Sequence, residues 1–273
     1  MLAARWPTTI LVLALLTGCG GGGGGAPSTP APTTTNPPSA AQQSAGGMWF
    51  AVTGGSSGAA FMIAETGEVR VSMGPTGTSG PSFGYGAVTV IGNRVEGSLE
   101  IRAVPGSPAA PPGAELDCTV SGTVSTRVSM QLTIVCVDAA GATTTTPLSL
   151  MFDSRYDADS SLADIAGNYT LTVNTATNTL NINGDGTLFG MYHNGPRCTL
   201  NGTVSIIHSD FNLYRFDVRF SNCTFLAAQF EGVTMTGLAT RNLPGQKAGS
   251  FLLLLTAVIN GRLEFASVLY EPV

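Results

Sequence analysis

Two serines sit at the centre of Gly-x-Ser-x-Gly strings: Ser56 in Gly54-Gly55-Ser56-Ser57-Gly58 and Ser82 in Gly80-Pro81-Ser82-Phe83-Gly84. A nucleophilic serine presented this way needs a strand before it and a helix after it, so that a sharp turn exposes the hydroxyl. Neither string has that setting, and both read as loops between strands. The two histidines, His193 and His208, each fall beside turn residues. His208-Ser209-Asp210 holds the residue types of a catalytic triad, but those groups must converge from separate segments. Both histidines are therefore expected in surface turns. Asp153, Asp157, Asp159 and Asp164 form the densest acidic stretch. Counted from Asp157, a calcium loop would require Gly at its sixth position and Glu at its twelfth, where this chain has Leu162 and Asn168. Helix capping and solvation explain these acids. The expectation is no catalytic set, no metal and no cofactor.

The cysteines divide as one plus four. Cys118, Cys136, Cys198 and Cys223 lie in the body of the chain, where no pair has zinc spacing, and two disulfides are expected in an oxidising compartment. Parity supports the pairing of neighbours. Cys118 shares a face with Val120 and Val124, and Cys136 with Val128, Met130, Leu132 and Ile134, so both sulfurs point into one core. Cys198 goes with Leu200, Val204 and Ile206, but Cys223 falls on the polar parity of Arg219 and Ser221. A one-residue bulge near Ser221-Asn222 is needed to turn it inward.

Cys19 stands apart. Arg5 and the apolar run Ile10-Leu11-Val12-Leu13-Ala14-Leu15-Leu16 have the layout of an export signal, and the run is far shorter than the roughly 20 residues of a membrane-spanning helix. Leu16-Thr17-Gly18-Cys19 follows, and it resembles the lipobox of bacterial lipoproteins. The resemblance implies cleavage between Gly18 and Cys19, a diacylglycerol thioether on the Cys19 thiol and an acylated amine, palmitate-like chains that together hold a protein firmly on a bilayer. Gly20 in place of Asp after the cysteine implies onward transport to the outer membrane of a Gram-negative cell. Residues 19–46 carry no charge and little apolar bulk; the glycine run and Pro27, Pro30, Pro32, Pro37 and Pro38 make a disordered spacer.

The remainder must position whatever chemistry exists. The chain is 43% apolar and only 11% charged, and Gly, Thr, Ser and Asn cover its surface. Without the signal it carries 11 basic against 17 acidic residues, a net of −6, with a single lysine, Lys247. That excludes the clustered basic footprint of a nucleic-acid partner. Short alternating segments recur, separated by turns. Strands are expected at 48–53, 59–64, 69–73, 85–91, 94–104, 114–125, 127–137 and 145–153. A second set is expected at 169–174, 179–183, 187–192, 197–207, 212–221, 229–241, 249–259 and 262–270. Gly184-Asp185 and Asn260-Gly261 are strong tight-turn pairs.

Cys118-Thr119-Val120-Ser121-Gly122-Thr123-Val124-Ser125 repeats as Cys198-Thr199-Leu200-Asn201-Gly202-Thr203-Val204-Ser205, identical at six of eight positions. An additional hairpin precedes the matched cysteine in the first half and follows it in the second. The chain is thus an all-β pair of related domains, 47–155 and 167–273, joined by a short connector, 156–166, that Ser160 or Ser161 caps and Gly167 closes. Each domain is expected to be an antiparallel meander barrel of about eight strands, with a β-sandwich as the alternative.

The whole resembles two-domain lipoproteins of Gram-negative bacteria without assigned activity. It implies a non-enzymatic envelope module, lipid-anchored on the outer membrane, that binds an unidentified envelope protein or serves structurally. Two other classes stay open: a carrier of a small apolar ligand inside a barrel, and a serine hydrolase using Ser56 or Ser82.

Overall fold

The computed structural model describes residues 43–52, 58–74, 82–103, 115–173, 176–193, 197–242 and 245–273. Gly18, Cys19 and Ser56 lie outside these residues. The first barrel is built from β1 (Gly47–Ala51), β2 (Gly58–Ile63), β3 (Glu68–Gly74), β4 (Ser82–Ile91), β5 (Arg94–Ala103), β6 (Glu115–Ser125), β7 (Ser129–Val137) and β8 (Thr143–Phe152). The second is built from β9 (Gly167–Val173), β10 (Ala176–Ile182), β11 (Thr187–His193), β12 (Arg197–Ile206), β13 (Tyr214–Ser221), β14 (Thr234–Arg241), β15 (Phe251–Ile259) and β16 (Arg262–Pro272). Each strand pairs antiparallel with the next. Closure comes from Trp49 opposite Phe152 between β1 and β8, and from Thr170 opposite Glu271 between β9 and β16. These are barrels, and the sandwich alternative is set aside.

Alternation sets the core. On β13 Tyr214, Phe216, Val218 and Phe220 are buried inside the second barrel, while Arg215, Asp217, Arg219 and Ser221 face outward. The repeated cysteine segment serves two purposes at once. Cys118 lies directly opposite Cys136, Cα atoms 4.0 Å apart, and their disulfide staples β6 to β7. Cys198 bonds Cys223 across a Cα separation of 4.2 Å. The parity break expected before Cys223 is made by Asn222, whose φ of +52° turns the chain after β13. The chain-entropy model gives about 3 kcal/mol for a staple on loops of this length. Four residues beyond the first cysteine, the inward glycine allows the walls to curl. A Cβ on Gly122 would lie 2.0 Å from the Gln131 carbonyl oxygen, and one on Gly202 1.9 Å from that of Asp217. Glycine at these points is what permits so close an approach of neighbouring backbones.

Three expectations need correction. Residues 43–46 are not spacer but part of the first barrel's end: Ala45 is 4% exposed in its core, its carbonyl accepts from Trp49 Nε1 at 2.8 Å, and Thr126 bonds both Gln43 and Ser44. No strand begins at Gln229, because Phe225–Phe230 winds as a 3-10 turn and Gly232, at φ +76°, redirects the chain into β14. Ser82 opens β4, where it is 3% exposed between Met73 and Ala103, and is not in a loop. The connector holds a 3-10 turn, Ser154–Asp157, and a one-turn helix α1, Leu162–Ile165. Ser161 caps α1 by accepting from the Asp164 amide, whereas Ser160 donates to the His208 carbonyl.

Gly122→Ala and Gly202→Ala are each expected to lower stability by about 2 kcal/mol through overpacking. Urea unfolding checks this, and a midpoint equal to the parent's would show that the walls are not closed as tightly as described.

Candidate functional site

The two barrels pack side by side. Outward residues Met48 and Phe50 of β1 and Met62 of β2 meet outward Leu238 of β14 and Leu252 and Leu254 of β15, with Tyr156, Phe211 and Leu213 completing one apolar cluster. Met62 and Leu238 are fully buried there, each contributing about 2 kcal/mol. At one end, Arg127 of the β6–β7 turn reaches from the first barrel to the connector and its neighbours. At the other, the Phe83 and Phe265 rings stack at 4.1 Å, Arg102 pairs with Glu264 at 2.7 Å, and Glu115 accepts from the Leu263 amide at 2.8 Å.

Between these ends the barrels diverge and leave a groove of about 560 Å³, with Glu68, Arg70, Tyr85, Ser98 and Glu100 on one wall and Thr234, Thr236 and Thr256 on the other. Arg70 is only 4% exposed. It projects outward from β3, donates to the Thr236 hydroxyl at 3.2 Å and pairs with Glu68 at 3.1 Å; Glu68 also pairs with Arg215 of the other barrel. Burial is the largest influence on the Arg70 guanidinium and lowers its pKa; the Glu68 charge opposes this and Arg215 adds to it. A carboxylate shared by two guanidiniums from different barrels locks the domains in one register, because separating them would strand a desolvated charge. The Nε atoms of Arg70 and Arg215 are buried donors with no hydrogen-bond partner among the described residues. The Arg70 guanidinium lies 5.6 Å from the Tyr85 ring centroid, and the Tyr85 hydroxyl donates to Glu100 at 2.7 Å. Burial, then the hydrogen bond to Glu100 and that carboxylate's charge, push the Tyr85 hydroxyl up to about 12.

Both barrel interiors are apolar. The first packs Trp49, Phe61, Ile63, Leu99, Ile101, Met130 and their neighbours. Inside the second is a cavity of about 80 Å³, whose lining includes Tyr192, Phe220, Phe230, Met235, Ala266 and Tyr270 among leucines and valines.

The residues singled out from sequence do not converge. His193 ends β11, opposite Arg197, and is not in a turn. His208 lies in the loop after β12, half exposed, its ring 4.9 Å from that of Phe211. The acids of the connector are spent separately: Asp153 caps the 3-10 turn and pairs with Arg155, Asp157 pairs with Arg127 at 2.6 Å, and Asp164 closes the α1 cap. No group of three or more His, Cys, Asp or Glu side chains among the described residues is arranged to hold a metal. Arg70, Glu68, Tyr85, Tyr192 and Tyr270 were not singled out; an arginine on a strand whose inward neighbours are Val69 and Val71 reads as an ordinary wet-face residue. Comparison with protein-family models, curated proteins and solved structures found no match for the chain.

Because the folded pKa of Tyr85 exceeds its ordinary 10, its contribution to stability is complete below pH 10 and lost as pH rises through about 12. Tyr85→Phe should therefore flatten the alkaline decline of stability between those values. Denaturant midpoints at stepped pH measure it, and an unchanged slope would refute the upward shift of this hydroxyl.

Proposed function

We propose that the chain is an outer-membrane lipoprotein, held through acyl groups on Cys19, whose paired barrels act as a non-enzymatic binding or structural module of the envelope. The observation that carries this is the place where the chain enters the folded unit. A strand pulled directly from its N-terminal end unzips one ladder pair at a time. Here a clasp precedes β1: Gln43 and Ser44 bond Thr126, Ser44 donates to Glu65, and the Gly46 carbonyl accepts from Arg127 at 2.6 Å. Arg127 itself grips the connector and stacks against Phe211 beyond it. Tension applied through the N-terminal segment is thus shared by both barrels, as suits a molecule hung from a membrane.

The groove between the barrels is the surface best suited to a partner. It is built from both domains, sets charged and hydroxyl side chains among apolar wall atoms, and is flanked by the shared Glu68 pairings, the kind of place where ligand sites occur. A second reading, carriage of a small apolar molecule, is favoured by the cavity in the second barrel.

Cells fed an alkynyl fatty acid should label the full chain and leave Cys19→Ala unlabelled, and only the parent should sediment with outer membranes after alkaline carbonate washing. Labelling or sedimentation unaffected by the substitution would remove the anchor and with it this proposal.

A further inference from the structure

Of the six tyrosines, Tyr85, Tyr156, Tyr169 and Tyr214 have hydroxyls hydrogen-bonded to described residues. The two whose hydroxyls have no such partner among the described residues, Tyr192 and Tyr270, both stand in the wall of the cavity inside the second barrel. Tyr270 is 3% exposed, and its hydroxyl is pushed upward by burial and by the proximity of Tyr192. Tyr192 is only half buried, and neither hydroxyl oxygen is fully sealed, so a small molecule can reach both. The remaining wall is Leu, Val, Phe, Met and Ala, so these two hydroxyls are the side-chain polar groups the cavity offers among the described residues.

We infer that this cavity is a binding site for a small aromatic molecule of single-ring size bearing one hydrogen-bonding group, such as a phenol, with the ring between Phe220, Phe230 and Met235 and the polar group at Tyr192 and Tyr270. The walls suit a ring: Phe220 is edge-on to Tyr192 and lies 5.7 Å from Phe230, and a thioether packs well against aromatic edges. An acyl tail entering methyl-first fits less well, because it would bury both hydroxyls against methylenes.

Size sets the entrance. A dry cavity that takes up benzene measures roughly 150 Å³, so about 80 Å³ has to grow. The yielding wall is Phe230, only half buried, on the 3-10 turn Phe225–Phe230 that leads into β14. That turn starts just after Cys223, whose disulfide to Cys198 secures its beginning, and Cys198 pairs with Tyr192 across the ladder. The backbone of the segment is held at both ends, by the disulfide at Cys223 and by the Gly232 amide on the Phe220 carbonyl, so the added room has to come from rotation of the half-buried Phe230 ring. This site deepens the carrier reading and is independent of the anchor; failure of labelling at Cys19 would leave it standing.

The test uses the full chain in lipid nanodiscs, with empty nanodiscs as blank, titrated with 4-fluorophenol and with fluorobenzene and followed by fluorine NMR and by the methyl resonances of methionine. The expected result is saturable binding of 4-fluorophenol that shifts the Met235 methyl, with a preference over fluorobenzene of about fivefold, the worth of one hydrogen bond. Removing both hydroxyls in the Tyr192→Phe, Tyr270→Phe variant should equalise the two probes, and Ala266→Phe, which fills the cavity, should abolish binding of both. An unmoved Met235 methyl, or equal affinity of the two probes in the parent chain, overturns the inference without reliance on any variant's folding.

Discussion

The Arg127 guanidinium holds together parts of the molecule that no strand ladder connects. It donates to the Gly46 carbonyl, pairs with Glu65 at 3.0 Å and Asp157 at 2.6 Å, and lies 4.8 to 5.1 Å from the ring centroids of Phe152, Tyr156 and Phe211. The residue sits in the β6–β7 turn at φ +60°, a conformation unfavourable for a long side chain, and that conformation aims it across the barrel end. Two carboxylates and a carbonyl satisfy its donors while three aromatic rings surround it at cation–π distance. A lysine could satisfy the charge but not the geometry, since an ammonium is a compact, strongly hydrated point without a face to stack. This contact ties the N-terminal segment, the connector and Phe211 to one another, in addition to the apolar cluster and the Glu68 pairings that join the two barrels.

What the guanidinium fixes at one end, the apolar faces of β1, β2, β14 and β15 extend along the interface, and here the ordinary logic of a barrel is suspended. A barrel strand buries alternate residues; these strands bury both sets. Met48 and Trp49 are both buried, as are Phe61, Met62 and Ile63, and on β15 Leu253, Leu254 and Leu255. The mark of that double burial is in the sequence as unbroken apolar runs, Ala59 to Ala64 and Phe251 to Leu255, against the strict alternation of β13.

The same contrast explains what could be read in advance. All sixteen strands, the disulfide partners and the turn before Cys223 follow from parity and turn chemistry, which are local. The interface does not, because period-2 reasoning assigns Arg70 and Glu68 to the wet side of β3 and has no means of knowing that a second barrel covers it. Residues 43–46 were hidden for a similar reason: Gln43-Ser44-Ala45-Gly46 has spacer composition, and only the carbonyls and side chains it offers to Thr126, Trp49 and Arg127 make it structure. The helical turn at Phe225–Phe230 escaped because its apolar residues continue the pattern of the strand that follows.

Closure of the sheet accounts for the imperfect repeat. The matched cysteine lies on the sixth strand of the first barrel and on the fourth of the second, a displacement of one hairpin. In an open sheet that shift would move the staple toward an edge. In a ring it is a rotation, so the staple and the inward glycine can keep their relation to their neighbours. Eight strands also give both barrels nearly the same bore, just wide enough for side chains to fill or for one small ligand. What each barrel holds is then left to the inward side chains. The first directs Trp49, Phe61 and Met130 inward; the second directs Tyr214, Phe216 and Phe251 inward and, with Ala266 on part of its wall, keeps a cavity. One architecture is thus able to carry two differently packed interiors side by side, and the charge shared through Glu68 links the two barrels.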